Sequence, residues 1–427
     1  MQSLINDKRS TIEGHHLSYV GDSPVCYHCH HFNLFFDQTI DDAIGPVLGN
    51  KLRTQAAHDA AYLYLKGLVA GLPATTPSEQ LDLASSVFAA MGHGRLDLAI
   101  PLQGGEVRGQ NLHYGHAWQE KYGENISRKT PTDAFAAGFA AAAHEIAYQL
   151  PAGSRLCTED ECTAISHSDC KLTISPGTDR FIPSGSSIAS NRRLIGEPSY
   201  GIMEQDVENI ANPLRNFLID VEGDKRGLVD AFGVLVTMHL PNYYNHCANR
   251  TLELIARDKP AALGVFRTLL IESGHVCAFH TIGGILSSPE WEAMVGPIRG
   301  EPTEILVGGL AIARALGFGR WATEEFVHGQ RLVLTASGTY ESMYPQRLIA
   351  NISNASNGAG ETGGGCCFLF QGGGLGLMEL MHRIDWSSKP MFTELYPKMR
   401  RDLPWRAEET QCLSRGDDVC RVVVEAV

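Results

Sequence analysis

Apolar residues recur at helical spacing through residues 41–71 and again through 78–91, so both stretches predict amphipathic helices. Residues 92–112 alternate apolar and polar positions around a Gly104-Gly105 pair, the pattern of a β-hairpin. Residues 132–150 are Ala-rich and helical, and stop before Pro151-Ala152-Gly153. Residues 170–174 and 420–424 are β-branched or alternating and predict strands. The expected class is α+β, with helices packed on a small antiparallel sheet.

Read against itself, the chain repeats. Gly92-His-Gly-Arg-Leu96 matches Gly317-Phe-Gly-Arg-Trp321, and Gly104 then falls on Gly329. Upstream, His28-Cys29 is matched to His246-Cys247, His58 to His280, and His16-Leu17 to His239-Leu240. Downstream, Glu159-x2-Cys162-x7-Cys170 matches Glu409-x2-Cys412-x7-Cys420, after an insertion in the second copy between about 342 and 405. The expected organisation is one domain at 1–180, a linker and lead-in helix at 181–229, and a second copy at 230–427. Together they form two tandem ligand-binding domains arranged as a pseudo-dimer. Within the linker, residues from 182 start Pro/Gly/Ser-rich and turn helical towards 225.

Composition narrows the partners. A net charge of -13 argues against nucleic acid, which needs clustered Lys and Arg, and against anionic membrane surfaces. Residues 1–21 are polar and lack a signal-peptide core. No apolar run reaches the roughly 18 residues of a membrane span. The expectation is a soluble, cytoplasmic protein, in which 11 cysteines act as thiols or metal ligands rather than disulfides. Association into a homodimer is left open.

Each Glu-x2-Cys-x7-Cys segment can bring two thiolates and a carboxylate to one ion. Zinc accepts such ligands in a closed tetrahedron, and a fourth ligand is then needed. These segments, with Leu156-Cys157-Thr158 ahead of Glu159, resemble the 4-vinyl reductase domain, which also forms the sensor half of phenol- and xylene-responsive activators. The resemblance covers roughly 80–175 and 305–427. It implies a cysteine five residues before a glycine as the remaining ligand of a structural zinc. Cys367 before Gly372 meets that spacing, giving Cys367, Glu409, Cys412 and Cys420; Asp133 before Gly138 gives Asp133, Glu159, Cys162 and Cys170. Cys157 is the alternative to Asp133. The resemblance also implies a buried pocket for a small aromatic or tetrapyrrole-like ligand.

A second group of soft ligands is denser. Cys26-Tyr-His28-Cys29-His30-His31 is one run, with His58 a helix further on; His246, Cys247 and His280 answer it, with Cys277 close by. A His/Cys centre of this kind suits a second metal, iron, copper or zinc, and an open position on it would allow catalysis. The competing reading is of histidines that only satisfy buried backbone. His113 and His116 lie three apart at the end of the hairpin region; in a strand or turn they can face a pocket, the competing reading being satisfied polar or surface histidines. The run 360–365 reads as a flexible connection, since no Lys-Ser/Thr follows it, and one of Cys366 and Cys367 is expected to remain a free thiol. No nucleophile elbow, dinucleotide fingerprint, helix-turn-helix or ATPase segment is present. The leading expectation is therefore a stand-alone metalloenzyme for a small aromatic or heterocyclic substrate, with His28, Cys29, His58, His113 and His116 as its catalytic group. Against it stand a non-catalytic sensor or carrier and, by analogy of fold alone, an assembly factor.

Overall fold

The structure, a computed structural model, describes residues 1–427 except 13, 74, 124, 125, 127, 167, 178–195, 199 and 344–364. The first half runs α1 (Gln2–Asp7), β1 (Arg9–Ile12), β2 (Leu17–Val20), β3 (Ser23–Cys29), α2 (His30–Ile44), α3 (Pro46–Val69), α4 (Pro77–Ala90), β4 (Arg95–Asp97), β5 (Gly105–Gln110), α5 (His113–Tyr122), α6 (Ala134–Ala147), β6 (Arg155–Glu161), α7 (Thr163–Ser166) and β7 (Cys170–Pro176). After α8 (Glu204–Ile219) come β8 (Val229–Ala231), β9 (Val234–His239), α9 (Pro241–Asp258), α10 (Leu263–Cys277), a π-helical turn (Ala278–Ile282) and α11 (Gly283–Leu286). The chain ends with α12 (Pro289–Met294), α13 (Pro302–Ala315), β10 (Gly319–Val327), β11 (Arg331–Thr339), α14 (Phe368–His382), α15 (Phe392–Met399), β12 (Trp405–Gln411) and β13 (Cys420–Ala426).

The class is α+β, and the elements read from the apolar pattern are present with shifted ends. The helix expected at 41–71 is two helices, broken where Pro46 disfavours helical geometry at Gly45 and lacks an N–H to donate. α4 starts in a capping box: Thr76 accepts from the Glu79 N–H, and the Glu79 carboxylate accepts from the Thr76 N–H. The hairpin at 92–112 is β4 paired with β5, and the lead-in helix is α8. Arg314 holds α8 in place with 2.6 Å ion pairs to Glu204 and Glu208. The expected start of the linker at 182–195, and most of the 360–365 run, lie outside the described residues.

Two four-stranded sheets share one order, β4-β5-β7-β6 and β10-β11-β13-β12. The third belongs to both halves: in β1-β2-β3-β9-β8, β3 pairs antiparallel with β9, Cys26 opposite His239 and Cys29 opposite Val236. The helices cross over as well. α3 packs on α6 and α10 on α14 within each half, while α2 lies against α10 and α9 against α3.

These contacts correct three of the matches made from the sequence. Tyr27 N–H donates to the Leu316 carbonyl, and Met238 N–H donates to the Met91 carbonyl, both at 2.9 Å. A Cβ on Gly92 would meet the Val236 carbonyl at 2.7 Å, and one on Gly317 the Val25 carbonyl at 3.1 Å. Val25 therefore answers Val236 and Tyr27 answers Met238, so His28 answers His239. His246 and Cys247 lie inside α9 instead, and the match of His16-Leu17 to His239-Leu240 falls with this register. Likewise the glycine of α6 that abuts the His58 backbone, Gly138, has its counterpart in Gly372 of α14, which abuts His275. His58 answers His275, not His280. A further correction concerns length: the helical segment Pro260–Leu286 is long and apolar enough to cross a membrane, and 78% of its apolar window is buried inside this fold.

Candidate metal centres

Each four-stranded sheet delivers one carboxylate and two sulfurs, and the helix packed on it delivers the fourth ligand at its N-cap. Asp133 caps α6, Glu159 is on β6, Cys162 follows it and Cys170 opens β7. Cys367 caps α14, Glu409 is on β12, Cys412 follows it and Cys420 opens β13. In each group the four ligand atoms lie within 4.8 Å of one another. Tetrahedral thiolate ligation at about 2.3 Å places sulfurs about 3.8 Å apart. Cys367 and Cys412 are 3.8 Å apart, Cys367 and Cys420 3.5 Å. Asp133 Oδ2 lies 4.0 Å from Cys162 Sγ and 3.7 Å from Cys170 Sγ.

The donors also fit a metal ion electrostatically. One oxygen of each Glu is occupied: Glu159 Oε2 accepts from the Asp133 N–H at 2.7 Å and Glu409 Oε2 from the Cys367 N–H at 3.3 Å. The other oxygen, Oε1, is buried without a partner in both, an arrangement that costs free energy unless a cation meets it. Donation from Cys170 draws the Cys162 thiol down to about 5, and donation from Cys366, Cys367 and Cys420 draws Cys412 down strongly. Burial, and the charge of Cys162, push Asp133 up to about 7; burial, and the charges of Asp133 and Cys162, push Glu159 well above the usual carboxylate range. These acids compete for protons, and a bound divalent ion takes the protons' place. Both predicted tetrads are thus assembled. Cys157 is not part of the first; it is buried on β6. Cys366 stays outside the second tetrad, 3.8 Å from Cys412.

The proposed His/Cys constellation is divided. His28 is fully buried, stacked between Phe32 and Phe318, with Nε2 3.1 Å from the Tyr340 hydroxyl and Nδ1 3.6 Å from Cys277 Sγ. Cys29 caps α2 and accepts from the Thr281 hydroxyl at 2.8 Å. Burial opposes its ionisation, but donation from Cys277, Thr281 and the N–H groups of Phe32 and His31 outweighs this and brings the thiol to about 7. His58 goes elsewhere. Its Nδ1 meets Asp59 at 2.8 Å and its Nε2 meets Glu145 at 2.7 Å, as His275 meets Glu379 at 2.9 Å in the other half. This is a buried hydrogen-bonded strut between α3 and α6, not a ligand for His28 or Cys29. His113 and His116 lie on a helix, α5, not in a strand or turn: His113 Nε2 accepts from Asn33 at 3.0 Å, and His116 is half-buried. His246 and Cys247 are buried within α9. His280 sits on the π turn, its ring 4.2 Å from that of His31.

Sequence reasoning missed Tyr340, Thr281 and the pair Glu145 and Glu379. The two glutamates carried a signal, since each stands seven residues after the matched glycine of its helix.

Beside the first tetrad runs a groove of about 440 Å³. Val47, Thr54 and His58 of α3 form one wall, and Leu156, Cys157 and Glu159 of β6 form the other.

No protein-family model matches the chain, and no curated protein matches it. Among solved structures it bears a weak likeness to the phenol-responsive sensory domain of the transcription activator PoxR with phenol. That likeness is 14% in sequence identity, with a TM-score of 0.32, over 41% of this chain and 88% of that one.

Proposed function

We propose that the protein is a metal-stabilised small-molecule-binding protein. Two zinc ions staple its halves, and an apolar organic ligand occupies the groove beside the first of them. The observation that carries this reading is the groove itself, which is roomy, largely apolar and bordered by a metal-ligand residue, Glu159. Thiolate-carboxylate tetrads buried in equivalent places support zinc in a structural role. The repeated order of elements and the shared contacts support two tandem copies of a 4-vinyl reductase-type domain. The unpaired state of all eleven cysteines supports a reducing, cytoplasmic setting. The test is metal content by plasma mass spectrometry together with a thermal-shift screen of small aromatics. Two zinc per chain, and a hit abolished by Thr54→Trp but not by Lys51→Ala, is the expected outcome. Metal-free native protein, or hits indifferent to Thr54→Trp, would overturn the reading.

A metalloenzyme is the second reading, favoured by one observation: Glu159 borders the groove and also belongs to the first tetrad. A ligand there would meet an ion held by Asp133, Glu159, Cys162 and Cys170, which would act as a Lewis acid when bound. Turnover that disappears in Glu159→Gln, while the ligand still binds, would favour it over simple binding.

A further inference from the structure

A fifth sulfur crowds the second tetrad. Cys366 precedes the capping ligand Cys367, and its Sγ lies 3.8 Å from Cys412 Sγ, the same separation as between the ligands Cys367 and Cys412. Cys366 is not one of the four ligands. The Ser414 hydroxyl touches both sulfurs, 3.1 Å from Cys366 and 2.9 Å from Cys412.

At the matching place the first tetrad has an oxygen. Thr132 precedes the capping ligand Asp133, and its hydroxyl lies 3.3 Å from Cys162 Sγ. Ala164 stands where the second site has Ser414. A hydroxyl at that place is inert to mild oxidants, whereas a thiol is not. Access singles out the same residue. Cys367, Cys412 and Cys420 keep 0% of their surface, and Cys366 keeps 7%. Cys366 also borders a cavity of about 20 Å³, beside Phe32, Tyr244 and Glu341. That is room for one molecule of the size of water, and hydrogen peroxide is little larger.

We infer that Cys366 is an oxidation site that empties the second centre: a small hydroperoxide converts Cys366 and Cys412 into a disulfide, and the ion is released. The inference rests on the metal reading of the second tetrad. In the first step an S–O bond forms on Cys366 as the O–O bond breaks. Cys366 becomes a sulfenic acid, and its thiol proton leaves with the displaced hydroxide as water. Cys412, a thiolate while it holds the ion, then attacks that sulfur. An S–S bond forms, the S–O bond breaks, and the second hydroxide takes up a proton as water. The two sulfurs lose two electrons in all, and the peroxide gains them. Cys412 no longer ligates as a thiolate, and Cys367, Glu409 and Cys420 leave the ion one ligand short of its tetrahedron.

The test treats the full-length, zinc-loaded protein with a small excess of hydrogen peroxide. A colorimetric chelator reads released zinc, and mass spectrometry after thiol blocking maps the disulfides. Release of one of two ions, with a Cys366–Cys412 disulfide, is expected, and reductant followed by zinc should refill the site. Cys366→Thr, which copies Thr132, should hold both ions and release that ion at least about tenfold more slowly. Cys366→Ser gives the same reading if the threonine variant fails to fold. Zinc counted before peroxide tests the metal reading; the disulfide map tests this one whether or not an ion is present. Absence of the Cys366–Cys412 disulfide overturns the site. So does release unchanged by loss of the Cys366 sulfur, or release of both ions at equal rates.

Discussion

The two tetrads differ in one ligand and in what surrounds them. At the helix cap the first has Asp133, a hard oxygen donor, and the second has Cys367, a soft sulfur. Asp133 is also held by the chain itself: Oδ1 accepts from the Tyr114 N–H at 3.1 Å, and Oδ2 accepts from the Gly115 N–H at 3.2 Å and the Thr132 hydroxyl at 3.1 Å. Around the second site the extra donors are sulfur and hydroxyl, with Cys366 Sγ 3.1 Å and Cys412 Sγ 2.9 Å from the Ser414 hydroxyl. Glu159 borders an open groove, whereas the Gly365 backbone lies against Glu409. The same scaffold thus makes one closed, thiolate-rich site. The other is braced by backbone hydrogen bonds and lies next to a cavity.

The strongest way to break this comparison is to remove a sulfur from each. Cys412→Ala is expected to lower the unfolding free energy by ~5 kcal/mol or more, and Cys162→Ala by clearly less, because the bracing around Asp133 survives loss of the ion. Denaturant unfolding with metal analysis reads both; equal losses would erase the distinction.

A smaller effect tests whether the halves share a strut. His58→Ala and His275→Ala are each expected to cost about 3 kcal/mol, by leaving a buried glutamate short of a partner, with the metal count unchanged. Loss of turnover without loss of stability in His58→Ala would restore that residue to a catalytic role.

Asp133→Cys should then sharpen the contrast by copying the second ligand set into the first. Zinc affinity, measured by chelator competition, is expected to rise about 10–100-fold, or roughly 1.4–2.8 kcal/mol. An unchanged affinity would assign the difference to the bracing rather than the ligand. The smallest effect belongs to Cys157→Ser, within about 1 kcal/mol in stability. It should retain two ions per chain, since Asp133 and not Cys157 completes the first tetrad.

The tetrads were legible because their chemistry is local. Glu, Cys and Cys sit on one hairpin at fixed spacing, and only the capping residue comes from a distant helix. The histidines were not, because matching identical letters chose the wrong register. His28 and His246 share a neighbour type but not a place, and the true partner, His239, is followed by Leu240 instead of a cysteine. The equivalent positions are fixed by backbone contacts such as Tyr27 to Leu316, which no side-chain pattern records. Nor does composition reveal that β3 finds its partner in the other half of the chain. The helices at 46–69, 77–90 and 134–147 were legible because their apolar spacing is intrinsic; β3 and β9 are buried at every position and so show no alternation, and β2 and β8 are too short to establish a period.

The pairing of β3 with β9 has a consequence for how the chain is made. During synthesis β3 emerges with one edge unsatisfied, and α3 emerges without the α9 that covers it. Ribosomes add about 5–20 residues per second, so this edge waits on the order of ten seconds or more for its partner. A nascent chain in that interval exposes strand backbone and apolar helix surface together, the combination that recruits chaperones or a neighbouring nascent copy. Expression yield should therefore respond to translation speed across residues 30–239 more than to speed beyond them.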